Sequence, residues 1–432
     1  MPRIDNHETE LLNALFARFA QGPAVFALLA LSLIKGYAIA DAWLVNQWSF
    51  YYIHTSAADR STAPLLEQLP ERHYRGRIWI ARDAIVSGNP EKAENLLAPL
   101  SEITDPYVKS TLGRALDAQG KTQGAIEAWM EAGDWRALFG AGNRALAENR
   151  GEDALAYREA VYRLNPVAGA IALANTIWHV RRDATAAADV LRQTLDAYPD
   201  TRQRIDWLRR LGDFLRKQQA WNEAEAVYQE ALKLNLRDSA THVALGWLYY
   251  ERDHDVEAAL TQFEQAIALD PGNGDAYSSM GLILAAEERY NEADRWFAMA
   301  LEIAPNNRWW YRDRANAAWS GGNLALAIQV YSEAVTRFPD FDYAYWKLAW
   351  LYYLNAQYDD ASRAIEQAIT LAQGRNPDYW AQAGMIYEKL NQPKQALIAY
   401  QEALQLAPEN RYARDGMNRL QGADTSSTNR NR

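Results

Sequence analysis

A pattern of thirty-four residues recurs six times across residues 205–410 of this 432-residue chain. The clearest copy is Gly274 to Asn307, marked by Tyr277, Met280, Gly281, Leu284, Tyr290, Ala293, Phe297, Ala300 and Pro305. The marks return as Tyr311, Ala315, Ala318, Leu324, Ala327, Tyr331, Ala334 and Pro339, and again as Trp380, Gly384, Tyr387, Ala396, Tyr400, Ala403 and Pro408. Apolar residues three and four apart, in two runs per copy, predict two helices. Small residues at Gly281, Ala293 and Ala300 let the two backbones approach, and Tyr277 and Phe297 fill the space left. Proline closes the second helix because it lacks an N–H and fixes φ, and Asn-Asn or Gly-Asn makes the turn. One copy cannot bury its apolar face alone, so copies must stack. Stacked helix pairs form a curved surface that holds other molecules, which points to a scaffold before an enzyme.

The Gly/Ala…Tyr/Leu…Ala…aromatic…Ala…Pro spacing resembles the tetratricopeptide repeat. The resemblance covers about half of the chain. It implies an all-α, right-handed superhelical solenoid of helix–turn–helix repeats. Leu236 and Gln373 stand where proline is usual, one extra residue sits in the turn near Asp253-His254-Asp255, and Arg314 replaces an apolar residue. Degenerate copies extend upstream over 72–204, for roughly ten hairpins in all. There, 88–106 reads as a second helix with Pro106 closing it, and Gly133-Asp134 cuts another short. Residues 411–420 read as a capping helix and 421–432 as a polar, disordered tail.

The N-terminus adds a second constraint. Residues 1–22 read as an amphipathic helix and 46–71 as a juxtamembrane linker. Between them, 23–45 is long enough to cross a bilayer. Its Leu, Ile, Val and Phe residues favour insertion by roughly −3 to −6 kcal/mol, against about +3 for Lys35 near the centre. Trp43, Trp48, Phe50, Tyr51 and Tyr52 follow as an interfacial aromatic belt would. Three readings stay open: a single-pass anchor with the repeats outside the cytoplasm, a signal peptide cleaved after Ala40 in Ala38-Ile39-Ala40, or a helix packed into the solenoid or a partner.

A net charge of −10 argues against a broad nucleic-acid surface, and the absence of cysteine excludes disulfides and thiolate metal sites. No His-x-x-x-His pairing, nucleophile elbow or phosphate-cradling loop occurs, so the sequence predicts neither enzyme activity nor a cofactor. Asp253-His254-Asp255 reads as a solvated turn.

Sixteen Trp and 24 Tyr exceed what such a core needs. The first helix of each pair should line the concave side. Its non-core positions read Trp247 and Tyr250 in one copy, then Asp275, Ser278, Leu282 and Ala285 in a small, open one. They continue as Trp309, Arg312, Asn316 and Trp319, then Tyr343, Trp346, Trp350 and Tyr353, with Lys347 beside them. This predicts a connected aromatic patch. It would pack neighbouring first helices, hold a protein or peptide partner (an integral-membrane complex included), or stack a glycan of the kind found in envelope polysaccharide. Arg312 and Asn316 begin the clamp with which some tetratricopeptide grooves hold a peptide's terminal carboxylate. Lys347, Asp378 and Gln382 depart from it. The first copy instead offers Asp206, Arg209, Asp213, Arg216 and Lys217, read as a solvated face.

Overall fold

The computed structural model describes residues 74–100 and 102–430, and the regular elements among them are all helical. The expected N-terminal helix, the 23–45 span and the linker lie outside the described residues. Among the described residues no helix is long and apolar enough to cross a membrane. The chain divides into two compact units at Gln218.

The first unit contains α1 (Tyr74–Val86), α2 (Pro90–Leu97), α3 (Pro106–Asp117), α4 (Thr122–Ala132), α5 (Trp135–Ala147), α6 (Gly151–Leu164), α7 (Pro166–Arg181), α8 (Ala184–Ala197) and α9 (Arg204–Lys217). Consecutive helices pack as hairpins. Trp129 on α4 is fully buried and donates its indole N–H to the Ser110 carbonyl at 3.0 Å. It fits because Gly113 faces it; a Cβ there would lie 2.6 Å from the indole nitrogen. Pro106 does not close a helix as the sequence suggests. α2 gives way to a 3-10 turn at Ala98–Leu100, and Pro106 is the first residue of α3, behind the Asp105 cap. Proline fits there because the first-turn N–H has no intrahelical partner in any case. The charges of α9 pair along their own helix, Arg209 with Asp206 at 2.5 Å and Arg210 with Asp213 at 3.2 Å.

The second unit contains α10 (Trp221–Leu234), α11 (Ser239–Asp253), α12 (Val256–Leu269), α13 (Gly274–Ala286), α14 (Tyr290–Ile303), α15 (Arg308–Ser320), α16 (Leu324–Arg337), α17 (Asp342–Leu354), α18 (Tyr358–Leu371), α19 (Pro377–Lys389), α20 (Pro393–Leu406) and α21 (Arg411–Arg430). The repeat marks do the packing work the spacing predicts. Phe263, Phe297 and Tyr400 are fully buried, each against a glycine of the partner helix: Gly246, Gly281 and Gly384. Asn273, Asn307 and Asn323 cap the next helix by accepting from its first-turn N–H groups, and Asp238 and Asp255 do the same. Arg314 is accommodated by an ion pair to Asp294 at 2.6 Å. The turn inside a hairpin places one residue at positive φ, as at His254, Glu288, Gly322, Ala356 and Asn391.

The closing helix, α21, runs from Arg411 to Arg430, past the Leu420 boundary expected for the cap. No proline interrupts it, and Gly422 alone costs a helix only about 1 kcal/mol.

Candidate functional site: an aromatic groove on the second unit

The first helices of the last repeats build the site. α15, α17, α19 and α21 together bound a groove of about 290 Å³. Trp319 comes from α15, and Trp346, Lys347 and Trp350 come from α17. Asp378, Ala381, Gln382 and Met385 come from α19, and Tyr412 from α21. Spacing explains the alignment: residues three and four apart share a face, so Trp346 and Trp350 are one turn apart on α17, and Ala381 and Met385 are one turn apart on α19.

A run of ring contacts leads into the groove. Trp309 meets Phe341 edge-on at 5.5 Å, Phe341 stacks on Tyr343 at 6.0 Å, and Tyr343 meets Trp346 edge-on at 5.6 Å. Trp346 then lies 5.5 Å from Tyr379, which is buried. Trp350 and Tyr353 stack nearly parallel, 5.4 Å apart with 12° between planes. The Lys347 ammonium sits 4.2 Å from the Trp346 ring centroid and 5.5 Å from that of Tyr343. At these distances the ring quadrupole attracts the cation. Gln382 is almost fully buried and donates its amide to the Trp346 carbonyl at 3.2 Å. Asp378 accepts from the Asn410 amide at 3.1 Å.

The structure separates the sequence candidates into groups. Trp319, Trp346, Lys347 and Trp350 line the groove, and Tyr353 stacks on Trp350 without lining it. Trp247 and Tyr250 do not line it; both pack between first helices. The Trp247 indole donates to the Ser279 hydroxyl at 3.0 Å, and its ring lies 5.8 Å from Phe263. The Tyr250 hydroxyl reaches Glu287 at 3.5 Å, and burial followed by that carboxylate raises its pKa. Tyr343 and Trp346 are partly core residues as well, packed against neighbouring apolar clusters.

Arg312 lies 5.0 Å over the Trp309 ring and binds its own neighbour, Asp313, at 2.8 Å, which raises its pKa. The Asn316 oxygen accepts from the Tyr331 hydroxyl at 2.8 Å. Both side chains are thus engaged within the unit, and neither belongs to the groove lining. The sequence reading names Asp378 and Gln382 only as departures from the carboxylate clamp, and it does not reach Ala381, Met385 and Tyr412. Carrying the first-helix register one and two copies further finds them.

Family models described as tetratricopeptide repeat match residues 208–240, 250–311, 318–385 and 377–410. The tetratricopeptide repeat-containing protein trd-1 of Caenorhabditis elegans is 25% identical over 203 residues, 47% of this chain and 24% of that protein. Human protein O-mannosyl-transferase TMTC3 is 26% identical over 209 residues, 45% of this chain and 23% of its own length. Human tetratricopeptide repeat protein 6 is 28% identical over 197 residues, 44% and 37% of the two chains. This chain therefore spans less than two fifths of each of these relatives. Among solved structures, YrrB, described as a tetratricopeptide-repeat protein with an unusual peptide-binding site, is 20% identical. It covers 43% of this chain and 95% of its own, with a TM-score of 0.37. PilF of Pseudomonas aeruginosa is 16% identical over 49% of this chain and 96% of its own, with a TM-score of 0.40. With these family matches, and hairpins built on the repeat marks, the segment 208–410 belongs to the tetratricopeptide repeat family.

Proposed function

We propose that this chain is a non-enzymatic docking scaffold whose second unit holds an extended segment of a protein partner in the aromatic groove. The observation that carries the reading is the convergence of Trp319, Trp346, Lys347, Trp350, Met385 and Tyr412 on one concavity from three successive first helices and the closing one. Trp and Tyr concentrate binding energy where they can be desolvated together. Tetratricopeptide solenoids are scaffolds suited to protein–protein interaction. In this reading residues 23–45 tether the scaffold to a membrane, with the repeats outside the cytoplasm and an integral-membrane complex as the setting of the partner. The transferase activity in the name of TMTC3 belongs to that protein, less than a quarter of which is matched here.

The test is a photoreactive amino acid at Met385, inside the groove, compared with one at Glu302, exposed on α14. Irradiation of native cells should give a discrete polypeptide adduct from Met385 alone, and Trp350→Ala should abolish it. Equal adducts at both positions would sink the proposal. A carbohydrate adduct at Met385 would replace it with an envelope-polysaccharide role.

A further inference from the structure

We propose that Arg158, in the first unit, is the receptor for an acidic side chain of a polypeptide partner, which enters at the α5 surface by displacing the side chain of Asn143. The site lies apart from the aromatic groove and does not rest on the docking reading above.

The place of Arg158 in the repeat singles it out. It is the eighth residue of α6, and in the other second helices that place holds a buried apolar or aromatic side chain, Trp129, Tyr228, Phe263, Phe297 and Tyr400 among them. Like those rings, Arg158 lies against a glycine of the preceding helix. A Cβ on Gly142 would sit 3.2 Å from its Nε, much as one on Gly281 would sit 2.9 Å from the Phe297 ring. A guanidinium, charged at neutral pH, therefore fills a slot built for a ring. It is 3% exposed, and no carboxylate pairs with it among the described residues; burial acts on its pKa, downward, without an opposing acid. A buried charge without a counter-ion is costly. Packing gives no reason for it, since an aromatic ring would close the hairpin as it does elsewhere.

The bonds of the guanidinium show what is missing. Nη1 donates to the Phe139 carbonyl at 3.1 Å, Nη2 donates to the Asn143 side-chain oxygen, and the group lies 4.0 Å over the Phe139 ring. Nε is buried without a partner. Nε–H and Nη2 share one edge of the guanidinium, the edge that takes both oxygens of a carboxylate. Asn143 gives that edge a single oxygen and leaves the second donor unmet. A carboxylate in its place meets both donors and neutralises the charge. Asn143 is exposed and makes no other side-chain bond among the described residues, so it can turn out to solvent.

This geometry favours an acidic side chain over other anions. A carboxylate on a methylene stem has the build of the amide it displaces. A chain terminus would carry its own backbone N–H inward, and a phosphate brings more oxygens than the edge has donors. The fold has already desolvated the guanidinium, so an incoming carboxylate gains charge-assisted bonds to a preorganised group.

The experiment is a titration of the full chain, labelled with nitrogen-15 arginine, followed at the Arg158 Nε–H resonance; that resonance is identified by its loss in Arg158→Lys. The probes are acetyl-tetraglutamate amide, acetyl-tetraglutamine amide, acetyl-tetraglycine with a free terminal carboxylate, and inorganic phosphate. The glutamate probe should move the resonance saturably and the glutamine probe should not. Asn143→Asp supplies the carboxylate from within, so it should move the resonance the same way without a probe and weaken the glutamate probe at least about tenfold. Arg158→Phe restores the ring found in other copies; it should abolish binding without lowering the melting temperature. No movement with the glutamate probe, or equal movement with the glutamine probe, overturns the proposal. A response to phosphate or to the tetraglycine terminus alone overturns the acidic side chain as occupant. If Arg158→Phe unfolds the unit, Asn143→Asp, which keeps the arginine, decides: unchanged affinity there overturns the proposal.

Discussion

Tyr400 is held between two glycines, and this makes Gly416→Ala an informative substitution. The ring is fully buried on α20. A Cβ on Gly416 of α21 would lie 2.3 Å from its Cε2 and Cζ, and one on Gly384 of α19 would lie 2.4 Å from its Cε1. Carbon atoms in contact normally sit about 3.5–4.0 Å apart, so one partner must give way by more than about 1 Å. The usual escape, a tilt of the aromatic ring, is closed because the ring would move into Gly384. The phenol is also anchored, donating to Glu388, which takes Arg419 as well at 2.8 Å. The helix itself must therefore back away.

Overpacking of this kind costs about 1–3 kcal/mol, while Ala improves on Gly in a helix by about 1 kcal/mol. The net expectation is a loss of about 1 kcal/mol, local to α21 because stacked repeats touch only their neighbours. Hydrogen exchange of residues 411–420 should accelerate roughly fivefold, with little change in α11–α16. The control is Gly140→Ala on α5, where the new methyl would meet only the tip of Arg144 at 3.7 Å. There the same chemical change should stabilise by up to about 1 kcal/mol. Unchanged or slower exchange at 411–420 in the Gly416 variant would refute the sandwich argument.

Three further outcomes follow from the geometry. Trp350→Ala should leave far-UV circular dichroism and the melting temperature nearly unchanged. Trp346→Ala should lower stability by about 1–3 kcal/mol, because Trp346 packs on Tyr379 and the adjoining core; equal melting losses in both variants would contradict this division. Burial first, and the Glu366 carboxylate second, push the Tyr387 hydroxyl up to about 12 from its usual 10. The folded chain thus holds this proton more tightly than the unfolded one. The associated stability is complete below pH 10 and is lost as pH rises from there toward 12. Alkaline melting curves should be shallower for Tyr387→Phe, and an identical slope would count against the assignment. Ala356→Gly should raise stability by a few tenths to about 1 kcal/mol in a urea titration. It relieves a left-handed residue at φ 55°, partly offset by a freer unfolded chain, and a loss would show that the turn carries no strain.

The repeat marks were legible because their roles are local to one hairpin. Gly281 and Phe297, or Ala315 and Tyr331, meet within a single copy, so a fixed spacing reports a contact. The groove was half legible for the same reason: helix register put Trp346 and Trp350 on one face. What register could not report was competition from the next helix. Trp247 looks as available as Trp350 in the sequence, yet Ser279 takes its N–H, and Glu287 takes the Tyr250 hydroxyl. The upstream copies were harder to read because their interiors break the apolar rule. Arg158 is almost fully buried, its guanidinium 4.0 Å over the Phe139 ring and bonded to the Phe139 carbonyl and the Asn143 side chain. No spacing rule places a cation there. Pro106 and Pro166 open helices, so proline alone did not mark the repeat ends.

The groove has no owner among the repeats. Each hairpin folds on its own marks, yet the cavity draws on Trp319, Trp346, Met385 and Tyr412, residues of four alternate helices that begin at intervals of about one repeat. Removing one whole repeat would preserve every fold-determining contact inside the remaining hairpins and still scatter the cavity. Duplicating one would not copy it. In the docking reading proposed above, recognition is therefore a property of phase between copies, inherited only when the last copies and their closing helix pass on as a block.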